Sequence, residues 1–282
     1  MPNRIDRAII RDVPPLLESE GFLTLRLDES TAAAVRDAFQ CGRAYFRQDT
    51  AQKASDQLPE DLGFRPTGIE YSALRERPDA IESFSVSVKS PQSATALSRE
   101  GRSLHSLMMA CLDPLEEIAE ALAIAVAIAM GGQRYENLLS GALHHWSCLQ
   151  MNYSRPAGLG GRFIHELHED GHLFTIACAT GPGLQVRPND GELISLTAAP
   201  DEAVVMPGEI ISLLSGGRIR PLYHCVRPEQ ELGERLALLF FADVAPEKCE
   251  PWLMTDFNSS VDIGHRVLTN PKRFGLRGVN PE

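Results

Sequence analysis

The rhythm of apolar positions along the chain changes near residue 145. In the first half the patterned stretches are mostly helical. Val35, Ala38, Phe39 and Phe46 recur near helical spacing, so a helix is expected from a cap at Ser30 to about Gln48. Ser103–Cys111 reads as a second helix. Asp113-Pro114 with Glu116 and Glu117 reads as the start of a third, which Gly131-Gly132 ends. Arg7–Val13 reads as a short strand, followed by an amphipathic helix opening at Pro14-Pro15. Leu23, Leu25 and Leu27 alternate with Thr24 and Arg26, which predicts a strand over Gly21–Leu27. Residues 49–100 are polar and broken by Pro59, Pro66, Pro78 and Pro91. They read as loop with one strand near Ser83–Val88.

After residue 145 short β-rich runs alternate with Gly, Pro, Asn and Asp turns. The runs are Ser147–Ser154, Leu173–Thr180, Gly183–Pro188, Glu192–Ala198, Ala203–Pro207, Ile211–Ser215, Pro221–Arg227 and Arg235–Val244. Strands at this interval predict an antiparallel sandwich or barrel rather than a parallel α/β sheet. The expected plan is mainly β with flanking helices, over 1–282 as one domain. Residues 1–100 form a helix and loop region, 145–245 the β core, and 246–282 a polar tail that could serve as a lid.

Composition narrows the partners more than the fold. The 282 residues are 43% hydrophobic and 23% charged, ordinary for a globular protein. A net charge of −11 repels phosphate backbones, so no nucleic-acid partner is expected. The longest wholly apolar run, Ala121–Met130, is half of what a bilayer requires, so no membrane partner is expected either. The N-terminus has no apolar leader, and the six cysteines include no CxxC pair. A cytoplasmic protein with reduced thiols is the expectation. Oligomeric state is not written in the pattern.

The chemistry concentrates at Ile164–His172, where His165, His168 and His172 stand among Glu166, Glu169 and Asp170. His168 to His172 spells HExxH, the pattern of a zinc hydrolase with Glu169 as base. That reading needs a helix, yet Gly171 lies inside it and strand-like sequence follows at once. The other reading uses His168-x-Asp170. Residues i and i+2 of a strand share a side, so an imidazole and a carboxylate converge. His224, in a later β run, supplies the third ligand of a facial triad of two His and one carboxylate. Such a triad suits non-haem Fe(II) and leaves a face open for dioxygen and a co-substrate. Arg235 opens a strongly apolar run and needs a partner, either a structural carboxylate or one it clamps in two-pronged fashion. Arg155, Arg162, His165 and His172 flank these positions as candidate substrate contacts. Phe64, Arg65, Tyr71, Trp252 and Phe257 are candidate lid residues.

Several segments, in order, resemble one family, the isopenicillin N synthase-like Fe(II)/2-oxoglutarate-dependent oxygenases. They are Asn152-Tyr153-Ser154-Arg155-Pro156, His168-Glu169-Asp170, Gly183–Val186, Pro207–Arg218 leading to His224, and Arg235-Leu236-Ala237 in place of Arg-x-Ser. Gly21-Phe22-Leu23, Phe46, Lys53, Gly63-Phe64 and Asp79 to Phe84 extend the likeness, which spans roughly 8–245. The resemblance implies a double-stranded β-helix (jelly roll). It implies Fe(II) on His168, Asp170 and His224, and 2-oxoglutarate held through Arg235, with Asn152 as a further contact. The implied reaction is dioxygen-dependent oxidation of a small molecule, by default hydroxylation, with desaturation or ring closure open, in a biosynthetic or tailoring pathway. Ala237 and Ser154 depart from the family pattern: the first removes the serine hydroxyl of Arg-x-Ser, the second a phenol that often touches the co-substrate. A 2-oxoglutarate-independent Fe(II) oxidase of the same fold therefore stands as an alternative, beside the zinc hydrolase and a non-catalytic jelly-roll binding protein.

Overall fold

The computed structural model describes residues 7–59, 62–74, 76–87, 91–131, 147–155, 159, 162–189, 191–229 and 233–243, with short pieces at 252–253 and 260–261. Two antiparallel sheets face each other. The larger has the order β1 (Leu23–Arg26), β9 (Glu202–Pro207), β6 (Phe174–Ala179), β11 (Arg235–Ala242), β4 (Cys148–Ser154), β3 (Glu82–Ser87) and β2 (Gly63–Arg65). The smaller has the order β5 (His165–His168), β10 (Tyr223–Val226), β7 (Leu184–Arg187) and β8 (Ile194–Ser195). This is the expected jelly-roll core with helices laid against one side. Two residues at Trp252–Leu253 pair with Ser260–Val261. The rest of the tail, with Phe257, lies outside the described residues, as do His144, His145 and His265.

The central strands of the large sheet are buried on both faces, and period-two alternation sorts their side chains. In β11, Leu236, Leu238 and Phe240 join the main hydrophobic core, while Arg235, Ala237, Leu239 and Phe241 border a cavity between the sheets. Neighbouring strands follow suit. Phe174, Ile176 and Cys178 turn to the core, and Thr175, Ala177 and Ala179 turn to the cavity. Leu149, Met151 and Tyr153 turn to the core, and Gln150 and Asn152 to the cavity. One face thus packs against the core and the other lines the cavity.

Two long helices cover the packing face: α2 (Glu29–Phe46) and α4 (Arg99–Gly131). The cap of α2 is Asp28 rather than Ser30, because its carboxylate accepts from the backbone N–H groups of Ser30 (2.9 Å) and Thr31 (3.0 Å). The two helices expected over 103–131 are one, with Pro114 inside. An internal proline costs roughly 3 kcal/mol. The buried row of Leu104, Met108, Cys111, Leu112, Leu115, Ala119, Leu122 and Val126 keeps helical register through it, and this packing outweighs the lost bond. The same correction applies at the N-terminus. Arg7–Ser19 is one helix, α1, through Pro14 and Pro15, because Val13 and Leu17, four apart, are both buried. Within the run expected as a strand at Ile211–Ser215, the chain forms instead a short helix, α5 (Glu209–Leu214), burying Ile210, Ile211 and Leu214.

A buried ion pair ties the N-terminal region to the sheet. Lys53, at the end of α3 (Thr50–Lys53), is 1% exposed and reaches Glu82 Oε2 (2.6 Å) and the Phe46 carbonyl (2.9 Å). No described helix is long and apolar enough to cross a membrane.

Candidate metal centre

Two strands bring the ligands together. In the antiparallel β5–β10 pair, His168 lies directly opposite His224, and the register slips by one residue between that pair and the His165–Val226 pair. The slip is a bulge, a feature that re-aims side chains near sites. Asp170 lies just past the end of β5, so the i and i+2 argument holds at a strand terminus rather than within a strand. His168 Nε2 is 3.5 Å from Asp170 Oδ1, and His224 Nε2 is 3.8 Å from Asp170 Oδ2. One ligand atom from each of the three lies within 4.8 Å of the others.

Each imidazole is oriented from behind. His168 Nδ1 lies 2.6 Å from the Glu166 carbonyl, and His224 Nδ1 lies 3.1 Å from the Leu222 carbonyl. A carbonyl only accepts, so Nδ1 carries the proton and Nε2 turns a lone pair to the centre. Thr175 Oγ1 donates to Asp170 Oδ2 at 2.6 Å and sets the carboxylate's rotation. Burial opposes ionisation of Asp170, but His224 and His168 outweigh it and hold the carboxyl far below the usual range. Burial also pushes His224 down to about 4. Two lone-pair nitrogens and an ionised oxygen fit a divalent cation. Adjacent ligands roughly 2.1 Å from an octahedral ion stand about 3 Å apart, a small side-chain adjustment from the distances seen.

The centre opens into a cavity of about 350 Å3, within the range of small-molecule sites. Arg235 borders it, 6% exposed. Its Nε donates to the Pro182 carbonyl at 2.9 Å, and no described carboxylate pairs with it. Burial pushes its guanidinium down to about 10. A buried cation without an anion is costly, and a carboxylate entering the cavity would relieve that cost. Ala237 borders the cavity on the same face, while Ser154 is buried opposite Arg235 in the β4–β11 pairing and does not border it.

The remaining candidates divide. Asn152, His165 and His172 border the cavity. His172 Nδ1 pairs with Asp243 Oδ2 at 2.8 Å, and the ring stacks on Phe241. It takes no part in the three-residue cluster, and residues 168–172 form no helix, so the HExxH geometry does not arise. Arg162 is exposed, and Arg155 donates to the Tyr153 hydroxyl; neither borders the cavity. Arg65 and Tyr71 border it, but Phe64 is wholly buried in the core and no part of a lid.

Sequence reading missed a polar network at the cavity's far wall, made by Arg65, Glu70, Ser83, Ser85, Gln150 and Asn152. Arg65 reaches Glu70 (3.1 Å), Ser85 (2.9 Å) and Gln150 (2.6 Å). A signal was present. Ser83, Ser85 and Ser87 alternate with Phe84 and Val86, and Gln150 and Asn152 alternate with Leu149 and Met151. Polar residues at every second position of a strand buried on both faces mark a polar interior wall.

Residues 145–244 match the model of the 2OG-Fe(II) oxygenase superfamily. That match covers the β core alone, and with the jelly roll it agrees with the Fe(II)/2-oxoglutarate dioxygenase class that the isopenicillin N synthase-like resemblance implied. Among solved structures, the fold is similar to that of a full-length Neurospora crassa protein in complex with alpha-KG (TM-score 0.71, 16% identity, 91% of this chain and 87% of that one). It is similar to JOX2 in complex with 2OG, Fe and JA (TM-score 0.76, 16% identity, 96% and 83%). It is similar also to AtDAO1, the dioxygenase for auxin oxidation 1 from Arabidopsis thaliana, with 2-oxoglutarate (TM-score 0.66, 15% identity, 92% and 92%). Among curated protein sequences none matches this chain.

Proposed function

We propose that the chain oxidises a small organic molecule at Fe(II) held by His168, Asp170 and His224, with 2-oxoglutarate anchored by Arg235. The observation that carries this is the meeting of two tautomer-fixed imidazoles and an ionised carboxylate at the end of a cavity that also holds a buried arginine without an anion. When bound, Fe(II) and 2-oxoglutarate supply the dioxygen-derived oxidant, with succinate and CO2 as by-products. The chain's share is geometric and electrostatic. His168 and His224 present Nε2, Thr175 fixes the Asp170 carboxylate, and Arg235 takes the far carboxylate of 2-oxoglutarate. Asn152 borders the same cavity as Arg235 and the three candidate ligands. Apolar side chains, Leu184, Val226 and Leu239 among them, line part of the same cavity.

Hydroxylation is the default outcome, and desaturation or ring closure would use the same centre. The net charge of −11 supports a small molecule rather than nucleic acid as the substrate. The described cysteines, Cys41, Cys111, Cys148, Cys178 and Cys225, are free thiols, which supports a cytoplasmic place of work.

The test is an anaerobic titration of apo-protein with Fe(II) and then 2-oxoglutarate, following the weak visible charge-transfer band of the chelate. The band should form in the wild type and vanish in His168→Ala and Asp170→Ala, with metal affinity down by more than about 100-fold. Fe(II) binding without a band would instead favour the 2-oxoglutarate-independent oxidase. Failure to bind Fe(II) would sink the proposal.

A further inference from the structure

The hydrogen bonds along the far wall of the cavity run in one direction, and the direction selects the tautomer of a neutral His165. A guanidinium only donates. The Gln150 atom 2.6 Å from Arg65 Nη2 is therefore its carbonyl oxygen, which also accepts from Ser85 at 3.1 Å. Gln150 Nε2 is left to donate, to Glu70 Oε2 and to Asn152 Oδ1, both at 2.8 Å. Asn152 then turns its Nδ2 towards His165 Nε2 at 3.4 Å. An amide NH2 does not accept, so His165 Nε2 carries a lone pair. His165 Nδ1 holds the proton and gives it to Asp79 Oδ2 at 3.1 Å, where Ser72 also donates at 2.7 Å. Arg65 thus sets an orientation that passes through two amides and an imidazole to Asp79. Its far end fits without conflict, since a carboxylate accepts.

Two consequences follow for what the cavity holds. The Asn152–His165 contact is longer than the 2.7–3.2 Å of a full N–H hydrogen bond. The Nε2 lone pair is under-used, and it stands at the cavity with its ring centre 6.3 Å from that of His168. It is an acceptor within reach of whatever lies beside the metal. The second consequence concerns charge. Arg65 and Arg235 are the two arginines bordering the cavity among the described residues, and no lysine borders it. Arg65 is paired with Glu70 and Arg235 faces the co-substrate, while Asp79 leaves a carboxylate behind His165. Among the described residues, an acidic group on a substrate would meet carboxylates and no cation left over for it.

We propose that His165 is the substrate-binding residue of this site, accepting through Nε2 a hydrogen bond from an O–H or N–H of a substrate that carries no carboxylate or phosphate. This rests on the Fe(II)/2-oxoglutarate reading above and names the class of molecule that shares the cavity. Asp79 and Ser72 are positioning residues that keep the imidazole in the accepting tautomer.

The test uses full-length protein loaded with Zn(II), which is redox-inert, and 2-oxoglutarate. Binding of matched small probes is read by saturation-transfer NMR. The probes are neutral alcohols, amides and lactams, each beside the carboxylic acid of the same skeleton and the O- or N-methylated form that lacks the donor. The expected result is binding of neutral donors, with their acid and methylated partners weaker by about tenfold or more. His165→Phe should lose the same factor while Zn(II) and 2-oxoglutarate affinities hold. His165→Gln, which keeps an acceptor, should recover part of it. Acids that bind as well as their neutral partners would overturn the proposal, as would a set with no neutral binder or a His165→Phe protein with unchanged probe affinity. If the wild type takes up neither Zn(II) nor 2-oxoglutarate, the metal-centre reading falls and this one with it. If uptake is intact and the probe preference is wrong, this inference alone falls.

Discussion

Among the described residues, two arginines border one cavity in opposite states. Arg65 is held by Glu70, Ser83, Ser85 and Gln150, so its charge is cancelled and its donors point into the wall. Arg235 is more deeply buried, and its one described hydrogen bond is from Nε to a backbone carbonyl. On the proposed reading, the difference separates scaffold from binding site. A buried cation that the protein satisfies by itself organises its neighbours, and one left without an anion is kept for a ligand. Residue type alone would not have told them apart, since both are arginines at strand ends.

Swapping each for a neutral side chain of similar length should give crossed results. Arg235→Met removes the anchor of a charged ligand. 2-Oxoglutarate should bind roughly 100-fold more weakly or worse by calorimetry, with Fe(II) affinity unchanged. The apo-protein should be no less stable, since a buried charge without a counter-ion has been removed. A lowered melting temperature with unaltered 2-oxoglutarate affinity would show that Arg235 is structural. Arg65→Met should do the reverse. It leaves Glu70 uncompensated, and because both side chains are 12–20% exposed the loss should be roughly 2–3 kcal/mol, at the low side of buried pairs. The melting temperature should drop by about 3–5 °C, with 2-oxoglutarate affinity within twofold of wild type. The double variant Arg65→Met with Glu70→Leu should recover part of that loss, a positive coupling readable in a double-mutant cycle. Additive losses would mean that Glu70 is not the counter-ion.

The same contrast explains what was legible in the sequence. His168, Asp170, His224 and Arg235 could be found because each is a costly residue in a β-rich run, where only a ligand, a metal or a partner justifies it. The far wall was hidden for a different reason. Ser83, Ser85, Gln150 and Asn152 are individually ordinary, and Arg65, Glu70 and Asp79 come from a strand end and a loop that only the fold brings beside them. Helix boundaries failed where proline was read as punctuation. Across Pro114 the buried positions keep one register, Leu104, Met108, Cys111 and then Leu115, Leu122 and Val126, and that continuity carried more weight than the local signal. At Ile211–Ser215 a short apolar run fitted either period. The helix won because the N–H groups of Glu209 and Ile210 bond to the carbonyls of Asp170 and His172, which also fastens the loop that carries Asp170.

The smallest expected effect probes the binding arginine's surroundings. Ala237 stands two positions along β11 from Arg235 and on the same cavity face, where the resembling family carries a serine hydroxyl. Ala237→Ser adds one donor beside the place assigned to the far carboxylate of 2-oxoglutarate. A single added hydrogen bond is worth about 0.5–1.5 kcal/mol, so 2-oxoglutarate should bind roughly 2- to 10-fold more tightly. Fe(II) affinity should not change, because Ala237 is on the opposite sheet from His168 and His224. The same substitution in the Arg235→Met background should give little, since a hydroxyl cannot replace the lost charge. If Ala237→Ser tightens binding only when Arg235 is present, the two side chains act on one carboxylate. If it tightens binding equally in both backgrounds, the co-substrate reaches residue 237 without Arg235, and the unpartnered guanidinium must be explained by some other anion.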